Sequence, residues 1–169
     1  QGLDIEYVEA DYRRWPGPAS KADLVTLIFC DYCPLPPADR LHLLRRIREW
    51  IGTDGHLLLD VVSLIAFERK REVTLCDENL MAGFWSADPY VGVMRSFRYE
   101  AERLGLDLYT IWQARRQFEV YNWLQYFDPD ALAAEFAQVG LRIVERYADV
   151  GGTPYDAQAE EFAVVAVAD

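Results

Sequence analysis

LVTLIFCDYCPLPPADRLHLLRRIREWIGTDGHLLLDVV, residues 24–62, is the stretch on which the fold turns. Residues 24–30 are almost uninterruptedly apolar, as expected of a strand covered on both faces. Pro34, Pro36 and Pro37 forbid regular structure just beyond it. From residue 38 to 51 the spacing becomes helical. Leu41, Leu44, Ile47 and Ile51 make an inward stripe, with Arg45, Arg48 and Glu49 on other faces. Gly52 is placed to end this helix in a left-handed cap. After Asp54-Gly55, residues 56–62 give a second apolar run. Two apolar strands joined through a helix form a βαβ crossover, which implies parallel pairing.

Upstream, residues 3–8 alternate apolar and polar side chains, the mark of a half-buried strand. Trp15-Pro16-Gly17-Pro18 then breaks the chain. Downstream, residues 64–73 suit a short helix. The aromatic-rich alternating segments 90–99, 106–113 and 117–127 suit antiparallel hairpins with one wet face. Asp128-Pro129 reads as an N-cap followed by proline at the first helical position. Leu132, Phe136 and Val139 form that helix's buried stripe, and Gly140 closes it. Residues 141–147 carry Arg142, Glu145 and Arg146, which suit a sheet edge. Residues 162–168 (FAVVAVA) are apolar throughout and belong inside the sheet. The organisation expected is a core over 1–63, an inserted lid over 64–127, and a return to the core over 128–169.

The 169 residues are 51% hydrophobic and 14% aromatic, enough for a packed core, so disorder is excluded. No run reaches eighteen apolar residues, and no basic-then-apolar leader pattern opens the chain. A cytoplasmic protein without a membrane segment is the expectation. Three cysteines fit a reducing compartment better than a disulfide framework. The net charge of −11 repels phosphate backbones, so no nucleic-acid partner is expected. The basic stretches 40–48 and 69–71 read as solvated helix faces. His42 and His56 lack a second histidine or cysteine at metal-ligand spacing, so no metal is expected.

Three stretches together resemble the class I S-adenosylmethionine-dependent methyltransferase family: DLVTLIFCDY (23–32), LLRRIREWIGTDGHLLLDV (43–61) and GGTPYD (151–156). The resemblance implies an α/β, Rossmann-like sheet of order 3-2-1-4-5-7-6, of which this chain supplies strands 3, 4, 5, 7 and 6. The last strand enters antiparallel between its two neighbours. The family's glycine-rich loop and the acidic residue ending its second strand have no counterpart here: either an N-terminal segment carrying them lies outside this sequence, or the remaining strands pair in some other way. Without that segment, residues 3–8 lie three strand spacings from residues 24–30, roughly 14 Å at about 4.8 Å each. They are therefore expected to be detached from that sheet.

The resemblance also implies the cofactor, S-adenosyl-L-methionine, and a small-molecule methyl acceptor with an O, N or C nucleophile. Asp11 and Tyr12 match the end of the family's third strand, where a carboxylate accepts the adenine amino hydrogen bond and a neighbour packs on the ring. The bland alternative is an Asp opening a turn. Ile28, Phe29 and Cys30 match the end of the fourth strand, at the cofactor's methionine end. Tyr32 either closes over the cofactor or packs. Asp60, interrupting an apolar strand, either faces substrate at the sheet's open end or makes a structural hydrogen bond. Trp85, Tyr90, Tyr121, Trp123 and Tyr126 form either an aromatic lid, with Trp85, Tyr121 and Trp123 on substrate, or ordinary core. No catalytic acid or base is named, since in-line transfer from a sulfonium needs positioning more than proton transfer. Two alternatives remain: a non-catalytic binding module of the same fold, and a thiol oxidoreductase using Cys30-Asp31-Tyr32-Cys33. The oligomeric state stays open.

Overall fold

A computed structural model describes residues 2 and 4–169. The decisive stretch folds as β1 (Leu24–Leu27), α1 (Pro37–Ile51) and β2 (His56–Val62). β1 and β2 are parallel, with Leu24 opposite His56 and Leu27 opposite Leu59. β1 ends three residues before the apolar run does. Phe29 and Cys30 take positive φ of 72° and 57°, which no extended strand permits. α1 starts at Pro37, whose missing N–H is one that the first turn leaves without a partner anyway. Its buried side is Leu43, Leu44, Ile47 and Ile51, with Leu41 only half-buried. Arg40 joins that side at 3% exposure, so the basic stretch 40–48 is not wholly a solvated face. Gly52 has the expected positive φ but a ψ of −153°, an extended conformation open to little besides glycine rather than a left-handed cap.

β7 (Leu141–Tyr147) and β8 (Glu161–Ala168) complete the first sheet, in the order β1-β2-β8-β7. β8 is antiparallel to both neighbours, with Leu59 opposite Val164 on one side and Ile143 opposite Ala166 on the other. A register shift between Ile143 and Glu145 is the β-bulge that spoils the alternation of β7. α3 (Pro129–Ala137) is capped by Asp128, whose carboxylate accepts the Ala131 N–H at 2.7 Å. α1 and α3 pack on the sheet to form one core, in which Leu44, Leu59, Leu132, Phe136 and Val164 are fully buried. On the other face Leu58, Val62, Val165 and Val167 are only half-buried. β2 and β8 are thus dry on one side and partly open on the other, whereas no residue of β1 is buried, so the strand covered on both faces that was expected over residues 24–30 is not what forms there.

α2 (Leu64–Arg69) is shorter than the 64–73 window and is capped by Ser63. A second sheet follows: β3 (Thr74–Asp77), β4 (Tyr90–Tyr99), β5 (Leu104–Gln113) and β6 (Gln117–Gln125), in sequence order and antiparallel throughout. β3 was not foreseen, because all four of its residues are exposed and give no burial pattern. The chain leaves and re-enters the first layer at one place, where Leu64 N–H donates to Phe127 C=O at 3.0 Å and Phe127 N–H to Val62 C=O at 3.0 Å. The second sheet is pinned to α2 by Lys70 Nζ on Asp107 at 2.7 Å and by Arg98 stacked 4.5 Å from the Phe67 ring centre.

The strand expected over residues 3–8 is not formed at residues 4–8, and Leu3 lies outside the described residues. Ile5, Tyr7 and Val8 are exposed. An alternating sequence without a neighbouring strand has nowhere to send its backbone hydrogen bonds. As expected, these residues pair with neither β1 nor any other strand.

Candidate functional site

The site grows out of the loop between β1 and α1. Asp60, near the end of β2, turns its carboxylate across to this loop. Its Oδ1 accepts the Cys30 N–H at 2.8 Å and its Oδ2 the Phe29 N–H at 3.2 Å. One buried anion thus holds two successive left-handed, non-glycine residues in place. Such a conformation persists only where its surroundings over-determine it. Phe29, pinned by its backbone, presents its ring at 91% exposure, with Ile28 beside it also exposed. The loop's far end is fixed as well. Cys33 N–H donates to Cys30 C=O at 2.9 Å, its C=O accepts from Gln125 N–H at 2.9 Å, and its sulfur accepts from Val62 N–H at 3.3 Å. Cys30 Sγ, Asp60 and Glu161 place donor atoms within 4.8 Å of one another at the open end of the two strands.

Tyr32 points the other way. It is fully buried, donates to Glu135 at 2.7 Å, and is flanked by Phe127 and Phe136. Arg40 grips the same carboxylate at 2.6 and 2.9 Å and donates its remaining Nη to Leu35 C=O at 2.8 Å. Burial and the Glu135 charge push the Tyr32 phenol well above its ordinary value. Of the two readings of Tyr32, packing is the one observed. Sequence reasoning missed Arg40 and Glu135. The available signal was an arginine in the first turn of α1 among residues that needed to be buried.

The expected cofactor residues lie on two levels. Tyr12 reaches the loop through its hydroxyl, 3.4 Å from the Asp31 carbonyl oxygen. It also helps line an apolar cavity of about 320 Å³ beside β1, with Trp15, Leu24, Thr26, Leu43 and Trp50. Asp11 is at the surface, where Arg13 donates to it from Nε, Nη2 and its backbone N–H at 2.8–3.0 Å. The Arg13 side chain is the main cause that lowers its carboxyl to about 2.

The residues expected on substrate do not converge. Asp60 is spent on the loop. Trp85 packs on Tyr109, 4.8 Å between ring centres, and Tyr109 faces the side of the second sheet opposite Tyr121 and Trp123. Tyr121 and Trp123 stand exposed on the outer side. Tyr90 and Tyr126 are buried, as core residues. A cavity of about 640 Å³ lies at the far end of the second sheet around Asn79, Asp88, Trp112 and Gln113, and touches none of the strand-end residues.

The two thiols are poorly placed for dithiol chemistry. The hydrogen bond with Cys33, then burial, pushes the Cys30 thiol up, whereas a nucleophilic thiolate needs it lowered. α1 begins at Pro37, beyond both cysteines, so neither sits at its N-terminus.

The inboard, reversed β8 decides the topology: parallel β1 and β2, then β8 antiparallel between β2 and β7. Known structures share it. The CcbJ methyltransferase from Streptomyces caelestis superposes with a TM-score of 0.70 at 18% identity, over 95% of this chain and 62% of that one. The fold is that of the class I S-adenosylmethionine-dependent methyltransferases. Within it, S-adenosylmethionine-bound CalS10, an amino pentose methyltransferase from Micromonospora echinaspora, matches with a TM-score of 0.54 at 18% identity, over 95% of this chain and 63% of that one. KedS8, a sugar N-methyltransferase from Streptoalloteichus, matches at 0.58 and 20%, over 92% and 60%. This chain therefore spans under two thirds of each of these methyltransferases. No family model and no curated protein matches the sequence. In methyltransferase terms, β1, β2, β8 and β7 occupy the places of strands 4, 5, 7 and 6.

Proposed function

We propose that this chain belongs to an S-adenosylmethionine-dependent methyltransferase that acts on a small molecule, with an amine as the methyl acceptor. The observation that carries the reading is the reversed β8 between β2 and β7. Ligands in open α/β sheets sit at the carboxyl ends of the strands, and there the Asp60-braced loop exposes Ile28 and Phe29.

The residues present fit part of the cofactor. Tyr12, whose hydroxyl meets the Asp31 carbonyl in the loop after β1, offers a ring for the adenine, and Asp11 offers an acceptor if Arg13 releases part of it. Ile28, Phe29 and Cys30 would meet the methionine end. The bound cofactor supplies an electrophilic methyl group on a sulfonium. This chain's own contribution is to position and to exclude water: the loop backbone is fixed by Asp60 and Cys33, and Phe29 offers an apolar surface over the strand ends. An amine acceptor is favoured by the exposed Glu161 carboxylate at that end, and by the amino-sugar and N-methyl chemistry in the names of CalS10 and KedS8. The 64–127 segment is read as the lid that selects the substrate, through Trp85 on one face of its sheet or Tyr121 and Trp123 on the other.

Calorimetric titration with S-adenosylmethionine and S-adenosylhomocysteine tests the cofactor. Methyl transfer from labelled cofactor to a panel of amino sugars and the matching alcohols tests the acceptor. Saturable binding with transfer to amines is expected. Absence of binding sinks the reading, and transfer to alcohols alone removes the amine.

A further inference from the structure

Residues 78–89, which join β3 to β4, form a closed loop rather than a slack one. Asn79 N–H donates to Tyr90 C=O at 3.2 Å and so ties the two ends together. Leu80 is buried with Tyr90 and Ile111, and Trp85 packs on both Phe84 and Tyr109. A loop with joined ends, filled by its own side chains, is an Ω-loop, a form that frequently carries function. Three of its non-glycine residues take positive φ: Asn79 at 99°, Met81 at 60° and Ala82 at 53°. Backbone conformations of that cost cluster at ligand clamps and active sites. With the ends of β4 and β5, the loop walls the cavity of about 640 Å³. Small-molecule sites run from roughly 300 to 1,000 Å³.

The lining has one aromatic face and a mixed set of polar groups. Trp112, opposite Val91 in the ladder, is 40% exposed and offers its indole. Ser86 Oγ accepts the Asp88 N–H at 3.0 Å and a Gln113 Nε2–H at 2.7 Å, which leaves its own hydrogen to donate. Among the described residues, the carboxylates of Glu78 and Asp88 and the side-chain amide of Asn79 have no hydrogen-bond or ion-pair partner. All three belong to exposed residues of the lining, which holds no lysine or arginine.

We propose that this cavity is a binding site for a sugar that carries no anionic group, separate from the site at the strand ends. A sugar hydroxyl both donates and accepts. Here the carboxylates of Glu78 and Asp88 accept, the Ser86 hydroxyl donates, and the Asn79 amide does both. The C–H face of a pyranose ring supplies the flat apolar surface that an exposed indole stacks on. A purely apolar ligand would bury the two carboxylates without partners, which is costly. A phosphate or carboxylate would meet two like charges with no cation in the wall. The inference rests on this lining alone and does not depend on the methyltransferase reading.

Amide chemical shifts, followed as the protein is titrated with glucose, galactose, mannose, xylose and glucosamine, test the site. At least one of these sugars is expected to bind with a Kd on the order of 1 mM, the range open to so small a ligand. Its shifts are expected in residues 78–89 and 112–113. Trp112→Ala is expected to weaken that binding about tenfold or more. Asp88→Ala, a change in an exposed loop that leaves the sheet untouched, is expected to weaken it about tenfold as well. The 6-phosphate of whichever hexose binds is expected to be at least about tenfold weaker than the sugar itself. No shift in these residues with any of the sugars overturns the proposal. So does unchanged affinity in Asp88→Ala together with a 6-phosphate that binds as well as its sugar. Shifts confined to residues 28–33 and 60–61 overturn it too, while leaving the methyltransferase reading in place.

Discussion

At the residue scale the structure rests on a few buried polar groups, each with a definite duty. Asp60 satisfies two amides with two oxygens. Asp60→Asn keeps one acceptor oxygen, so one of the two N–H groups loses its partner, at about 1–3 kcal/mol. Urea unfolding is expected to show that loss, and an unchanged midpoint would separate Asp60 from loop stability. The Tyr32–Glu135–Arg40 cluster gives a graded pair. Tyr32→Phe removes one hydrogen bond, about 0.5–1.5 kcal/mol. Glu135→Ala leaves Arg40 charged among apolar neighbours, at about 3–5 kcal/mol, the usual cost of breaking a buried pair. A double-mutant cycle is expected to give coupling between them, because each removes one end of the same hydrogen bond.

Elements are set by local rules that the sequence displays openly. The Asp128 cap is an example: its carboxyl is held below the usual carboxylate range, first by the Ala131 N–H and also by Arg103. Since the folded group is the stronger acid, its contribution is complete above the unfolded value of about 3.9 and fades as pH falls through the lower folded one. Asp128→Ala is expected to cost about 1 kcal/mol at neutral pH, with the gap from wild type closing in acid titration. Gly55 is a second such point. A Cβ there would sit 2.3 Å from Ile51 O and 2.5 Å from Ala22 O, both backbone. Gly55→Ala must push α1 away from β2, and its thermal midpoint is expected to fall by several degrees, on the order of 1–3 kcal/mol of overpacking. The apolar runs, the Asp128-Pro129 start and the charged edge of β7 were all legible. The end of β1 was not. Ile28, Phe29 and Cys30 look like strand, and it is the Asp60 carboxylate, thirty residues on, that turns them out of it.

On the scale of the whole molecule, the two sheets differ in what covers them. β2 and β8 are central in the first layer and sealed by α1 and α3. Hydrogen exchange is therefore expected to be slowest in β2 and β8 and fast in β3, whose four residues are all exposed. Slow exchange confined to the second sheet would contradict the placement of the main core. By itself the sequence put residues 162–168 inside the sheet and 141–147 at its edge, because exposure is encoded residue by residue; the full order β1-β2-β8-β7 followed from the family resemblance. The apolar run of β8 went inside and β7, with three charges, went to the edge, while β1 forms the other edge with none of its residues buried. The sequence also determined the crossover, from the spacing of apolar positions in α1. Only the tertiary structure decided where the polar residues went. Asp60 became a brace, Tyr32 turned inward onto Glu135, Arg40 was buried in a basic stretch, and Trp85 fell on the opposite side of its sheet from Tyr121 and Trp123. A polar side chain's role depends on its partner, and those partners lie 30 to more than 100 residues away along the chain, a distance over which sequence periodicity carries no information.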